Sequence, residues 1–182
     1  MSIQKKLLIL DIDETLIFAT ESPLTRSPDF VAGHYLVYER PYVREFLKYC
    51  SENFEVAVWT TSTEAYAESI IARLFGDKSV LRFIWSRDRC TWVFDEDTYD
   101  RIQIKKLDKV RRLGHRVESI TVVDDSPNVW KQSYGNLVRV AKFEGDQLDD
   151  ELLHLPKFLG VLKVAENVRA VEKRNWRSRV NA

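Results

Sequence analysis

Residues 7–16 read LLILDIDETL: four aliphatic side chains run straight into Asp11, Asp13 and Glu14. An unbroken apolar run of this length suits a strand buried on both faces, which is the habit of parallel sheets. Acids crowded at the end of such a strand repel one another, so a positive charge has to sit among them. An Asp-x-Asp pair alone says little, because Asp also caps helices and opens turns. An EF-hand loop is excluded, since its spaced oxygen ligands, sharp-turn glycine and closing glutamate are missing.

Three further segments read as short buried strands: FEVAVWT (54–60), SITVVDD (119–125) and LVRVAKF (137–143). Helical patterns lie between the strands. PYVREFLKYCSEN (41–53) sets Val43, Phe46, Leu47 and Cys50 on one face, with Pro41 suited to the first turn. STEAYAESIIARLFG (62–76) has Ser62 or Thr63 as N-cap and a stop at Gly76, and KKLDKVRRLG (105–114) ends at Gly114 in the same way. Strands alternating with helices predict an α/β fold: a three-layer α/β/α, Rossmann-like sandwich around a central parallel sheet joined by right-handed crossovers. In such sheets the chemistry gathers at the carboxyl ends of the strands. Asp11 and Asp13, Thr60 and Thr61, and Asp124 and Asp125 should therefore meet in one crevice.

The remaining segments are less regular. Residues 19–40 end in an alternating aromatic and aliphatic run, read as a small hairpin flap over the crevice, and residues 80–100 as a small β insertion with no large cap. The expected organisation is one domain over 1–162 and a polar helix or frayed tail over 163–182. Lys plus Arg equals Asp plus Glu at 28 each, so no overall field draws the chain to nucleic acid or an anionic membrane. Cys50 and Cys90 lack disulfide or metal-ligand spacing and read as packing residues in a reducing compartment. With no signal-peptide core or membrane span in the sequence, the expected location is the cytoplasm, or the nucleus for a eukaryotic source. Trp85, Trp92, Phe94 and Tyr99, with Tyr35 and Tyr38, read as core packing of their segments before they read as a specificity pocket. The basic run Lys109, Arg111, Arg112 and Arg116 reads as a solvated face.

Four carboxylates, Asp11, Asp13, Asp124 and Asp125, at one end of one sheet demand a compensating cation. Hard oxygen ligands without His or Cys nearby point to Mg²⁺ rather than zinc. Magnesium keeps waters and readily shares a phosphate oxygen, which makes a phosphoryl compound the natural substrate.

DIDETL, RPYVREFLKYC, FEVAVWTTSTEAYAE, KKLDKVRRLG and VVDDSP, in that order, resemble the successive motifs of the haloacid dehalogenase superfamily. More narrowly the chain is similar to the FCP/SCP-like, NLI-interacting-factor-like phosphatases, over roughly residues 6–160. The resemblance implies that Asp11 is the nucleophile, forming an aspartyl-phosphate, and that Asp13 is the general acid and base whose main-chain carbonyl binds Mg²⁺. It implies that Thr60, with Thr61 second, holds phosphate oxygens beside the N-terminus of the following helix. Lys105, or its neighbour Lys106, offsets anionic charge. Asp125 stands where several family members have Asn and binds the metal, with Asp124 as ligand or support. Arg87, or Arg89, reaches the substrate phosphate. The substrate class implied is protein phosphoserine or phosphothreonine. The alternatives are a small-metabolite or nucleotide phosphatase, or a binding module with a residual site. Oligomeric state is not legible.

Overall fold

The computed structural model describes residues 5–96 and 99–180. In chain order it contains β1 (Leu7–Leu10), β2 (Ile17–Thr20), β3 (Phe30–Ala32), β4 (Tyr35–Glu39), α1 (Val43–Asn53), β5 (Glu55–Trp59), α2 (Glu64–Phe75) and β6 (Leu81–Trp85). These are followed by β7 (Thr91–Asp95), β8 (Asp100–Ile104), α3 (Asp108–Arg111), β9 (Ile120–Asp124), β10 (Leu137–Arg139), α4 (Glu151–Val164) and α5 (Trp176–Val180).

Because successive side chains of a strand point to opposite faces, LLIL supplies both layers of the core at once. Leu8 and Leu10 pack with Val43, Phe46, Ile70, Leu155 and Phe158 on one side of the sheet. Leu7 and Ile9 pack with Trp59, Trp85, Leu107 and Trp130 on the other. The sheet order is β10-β9-β1-β5-β6, every pairing is parallel, and β1 is central. Leu10 is level with Val58 on one neighbour and Val123 on the other, so the residues that follow these three strands emerge side by side. The expected α/β/α sandwich with a central parallel sheet is the fold observed.

Three segments depart from the sequence reading. Leu81–Trp85, assigned to the insertion, is the fifth strand of the main sheet, with Trp85 opposite Trp59. As an edge strand it is only partly buried, and LRFIW carries neither a continuous apolar run nor clean alternation. The insertion is thus a hairpin of β7 and β8, running to Ile104. Its Trp92, Phe94 and Tyr99 are exposed rather than packed in a core. The flap is a three-stranded antiparallel sheet, β2-β4-β3, rather than a single hairpin. Beyond α4 the chain lies against the body of the molecule: Val168 and Trp176 are buried with the α1–α4 layer, and the Trp176 indole donates to the Arg139 carbonyl at 2.9 Å. Polar residues between these two anchors hid that packing from a compositional reading.

The turn after β1 shapes the site. Glu14 sits in the left-handed region at φ 61, and the amides of Thr15 and Leu16 fold back onto the Ile12 carbonyl. The buried Arg40 donates to the Thr15 carbonyl at 3.1 Å and grips Asp149 through two of its nitrogens, which fixes the far side of this turn.

Candidate active site

Lys105 is the centre of the crevice. It follows β8, its backbone amide is tied to the Val129 carbonyl, and its side chain is 1% exposed. Its ammonium donates to Asp11 Oδ1 at 2.6 Å and to Asp124 Oδ2 at 2.7 Å. Asp124 is bonded on both oxygens: Oδ2 also accepts from the Trp130 indole at 2.7 Å, and Oδ1 accepts the Ser126 amide at 2.9 Å. Asp125 follows, with its carboxylate near the Thr15 and Ser126 hydroxyls at 3.3 and 3.2 Å. Asp11, Asp124 and Asp125 each bring one oxygen within 4.8 Å of the others.

Three carboxylates against one ammonium leave a formal excess of two negative charges in a buried site. Burial first, and the neighbouring Asp124 second, push the Asp11 carboxyl well above its ordinary range, against the pull of Lys105. Asp125 is raised as well, by burial, Asp124 and Glu14. Burial pulls Lys105 down, but Asp11 and Asp124 overcome it and hold the ammonium above its ordinary value.

The donor set fits Mg²⁺: all oxygen, with no imidazole or thiolate in the group. Adjacent oxygens on one octahedral Mg²⁺ at about 2.1 Å lie about 3.0 Å apart and opposite ones about 4.2 Å, so oxygens spread over as much as 4.8 Å must draw together to hold one ion. Asp13 contributes no side-chain oxygen to it. Its carboxylate is turned toward α2, where Oδ2 accepts from the Ser62 hydroxyl at 2.7 Å and Oδ1 from the Tyr66 hydroxyl at 2.6 Å. Burial, followed by Asp13 itself, keeps the Tyr66 phenol protonated.

Thr60 directly follows β5 and is 1% exposed, and its hydroxyl accepts the Ser62 amide at 3.0 Å. Thr61 is half-buried, and its carbonyl accepts from Arg87 Nε at 3.2 Å. Arg87, Asp13, Ser62, Tyr66 and Tyr35 line one cavity of about 300 Å³, with Tyr35 set edge-on to Tyr66. Arg89 turns away and lies over the Trp85 ring, while Lys106 borders a different hollow beside Gln132. Of each uncertain pair, then, Lys105 and Arg87 are the members at the crevice. Of the aromatics considered for a pocket, Tyr35 borders this cavity, and Tyr38 is buried.

Four residues of this arrangement were not legible as parts of the site: Ser62, Tyr66, Thr15 and Trp130. Ser62 and Tyr66 are four apart across the start of α2, which is the one pattern that could have paired them.

The fold, with this carboxylate and lysine group at the carboxyl ends of parallel strands, is that of a haloacid dehalogenase-type phosphatase, a phosphoric monoester hydrolase. A family model described as NLI interacting factor-like phosphatase matches residues 6–169, and the chain belongs to that family. It is 29% identical over 189 residues to CTD nuclear envelope phosphatase 1B of Danio rerio, covering 96% of this chain and 74% of that protein. It is 30% identical over 188 residues to CTD nuclear envelope phosphatase 1 of Xenopus laevis, covering 95% and 73%. Among solved structures, Fcp1, an essential RNA polymerase II CTD phosphatase, superposes with a TM-score of 0.59 at 21% identity. That match spans 97% of this chain and about half, 48%, of Fcp1, and it supports the fold alone. Among the described residues no helix is long and apolar enough to cross a membrane.

Proposed function

We propose that the chain is a Mg²⁺-dependent protein phosphatase that removes phosphate from phosphoserine or phosphothreonine through a phosphorylated Asp11. The observation that carries the reading is the buried Lys105 ammonium clasped between Asp11 and Asp124, with Asp125 beside them and charge left to balance. Asp11, Asp125 and the main-chain carbonyl of Asp13 would hold Mg²⁺, with Asp124 in the same group but mainly occupied in orienting Lys105. When bound, the ion supplies positive charge that offsets the phosphate oxygens and the Asp11 carboxylate.

An oxygen of Asp11 attacks phosphorus, and the bond from phosphorus to the seryl or threonyl oxygen breaks. That oxygen takes its proton from Asp13. A water then gives a proton to Asp13 and attacks phosphorus, which releases inorganic phosphate and frees Asp11. Ser62 and Tyr66 orient the Asp13 carboxyl for both transfers, Lys105 holds Asp11 against the incoming anion, and Thr60, Thr61 and Arg87 receive phosphate oxygens. At about 4 Å and an effective dielectric near 20, two like unit charges repel by about 4 kcal/mol, which is the penalty that Lys105 and the metal offset.

A protein substrate is supported by the names of the three relatives given above, all CTD phosphatases, and by the lack of a large cap over the crevice among the described residues. A cytoplasmic or nuclear setting agrees with two free buried cysteines. The test is hydrolysis of a singly phosphorylated seryl peptide and of an aryl phosphate, with Mg²⁺ and with EDTA, by wild type and Asp11→Asn. The reading expects Mg²⁺-dependent turnover of both substrates by wild type only. Sugar phosphates or nucleotides hydrolysed in preference to the peptide would move the substrate class to small molecules. Activity of Asp11→Asn equal to wild type would remove the phosphoaspartate.

A further inference from the structure

On the open edge of the main sheet, beside β10, a cavity of about 590 Å³ lies between Tyr134–Gly135 and the chain that returns after α4. Five cations line it, Arg139, Arg169, Lys173, Arg174 and Arg177, against one carboxylate, Glu172. Two of the five are already neutralised: Arg174 pairs with Glu172 at 2.7 Å, and Arg177 pairs with Asp150 and Glu151. Among the described residues, Arg139, Arg169 and Lys173 have no carboxylate at ion-pair distance.

Lys173 is the unusual member. It is 9% exposed, and among the described residues its ammonium donates only to main-chain carbonyls, those of Val168 and, at 2.8 Å, of Val171. Burial lowers it to about 8, with Arg169 pushing in the same direction and Glu172 resisting. Glu172 opposes that shift more than Arg169 adds to it, but Glu172 is itself held by Arg174, so an anion in the cavity would still stabilise the buried ammonium. Arg169 lies against Gly135, where an added Cβ would come within 3.2 Å of its Nε, so the glycine lets the guanidinium approach the backbone. Arg139 connects the cavity to the crevice: its Nε donates to the Asp125 carbonyl at 3.3 Å while its side chain also lines the cavity.

We propose that this cavity binds a phosphate group, either a second phosphate on the substrate chain whose first phosphate sits at Asp11, or free inorganic phosphate. The first source rests on the protein-phosphatase reading given above. Arg139 is level with Asp124, and β10 is two strands from β1. Two strand spacings are about 10 Å across the sheet, and Gly135, against which Arg169 lies, is four residues back along the chain from Arg139, so an extended chain needs about five residues to span from the crevice to Arg169. A guanidinium and an ammonium together match the oxygens of a phosphate dianion.

Two measurements test it. The first is kcat/KM of wild type and Arg169→Gln on matched peptides, one singly phosphorylated and one with a second phosphoserine about five residues away. Wild type should favour the doubly phosphorylated peptide by about tenfold or more through KM, the usual worth of a charge-assisted contact. Arg169→Gln should lose that preference and keep the wild-type rate on the singly phosphorylated peptide. The second measurement follows backbone amide resonances of the Asp11→Asn chain as each peptide, or inorganic phosphate, is added. Gly135 and Ala170 should move with the doubly phosphorylated peptide and not with the singly phosphorylated one. Movement with inorganic phosphate, together with no preference between the peptides, assigns the site to the free ion. Movement with the doubly phosphorylated peptide when wild type hydrolyses neither peptide keeps the cavity and removes the protein-phosphatase reading. Cavity amides that stay still with every probe, together with no peptide preference lost in Arg169→Gln, overturn the proposal.

Discussion

Replacing Lys105 with Met should destabilise the metal-free protein severely at neutral pH and much less in mild acid. The ammonium lies 2.6 Å from an Asp11 oxygen and 2.7 Å from an Asp124 oxygen, so its loss leaves two carboxylates facing each other in a buried crevice. At about 5 Å and an effective dielectric near 20, their repulsion is about 3 kcal/mol. Removing one partner of a buried charge group typically costs about 3–5 kcal/mol, which agrees with that figure. For a chain of this size each kcal/mol is worth roughly 2–4 °C in Tm, so Lys105→Met should melt on the order of 10 °C below wild type in EDTA. The sign of the pH dependence follows from Asp11, whose folded value is already raised above the ordinary 3.8 and rises further once the lysine is gone. A carboxyl raised in the folded state costs nothing below its unfolded value. Its cost grows as pH climbs between the two values and is complete above the folded one. The Tm deficit of the variant should therefore shrink as pH falls through the folded value of Asp11. Thermal melts of both proteins in EDTA across that range decide it. Equal melting at neutral pH, or a deficit that does not change with pH, would refute the account of Lys105 as the charge that makes this crevice tolerable.

Asp11→Asn should abolish turnover while keeping or raising Tm, because Lys105 keeps its pairing with Asp124 while one of the two excess negative charges is removed; comparison of activity and melting in one preparation checks this. Tyr66→Phe removes a 2.6 Å donor from Asp13 and should lower kcat about tenfold or more while leaving Mg²⁺ affinity nearly unchanged, read by kinetics and by the Mg²⁺ dependence of rate. Mg²⁺ should raise Tm at neutral pH, and the gain should fall in mild acid, because protons compete with the ion at the raised carboxyls Asp11 and Asp125; melts with and without Mg²⁺ measure it.

How far the sequence could be read depended on where each residue stands. Positions at the carboxyl ends of buried strands were legible, because an apolar run such as LLIL fixes the strand, and the α/β topology then fixes which end carries chemistry. That logic brought Asp11, Thr60, Asp124 and Asp125 to one crevice from segments more than a hundred residues apart. It failed for Leu81–Trp85, since an edge strand is half-buried and needs no pattern as strong as that of β1. It failed again for the tail, where a few anchors such as Val168 and Trp176 suffice to dock an otherwise polar segment.

Side chains that reach the site from outside the strand ends form the other class. Trp130 meets Asp124 from a short helical turn, and Ser62 and Tyr66 meet Asp13 from the start of α2. Their direction depends on where the helix axis lies relative to the sheet, and that is set by packing of Ala67, Ile70, Ile71 and Leu74 rather than by local pattern. The consequence is chemical. The two Asp residues of DIDETL are two apart in sequence but face different surroundings: Asp11 lies among carboxylates and a lysine, and Asp13 among neutral hydroxyl donors. One carboxylate is thereby set beside charge and the other beside donors that can hold it while a proton is passed, the separation that the nucleophile and general acid of the proposed mechanism require of neighbouring residues.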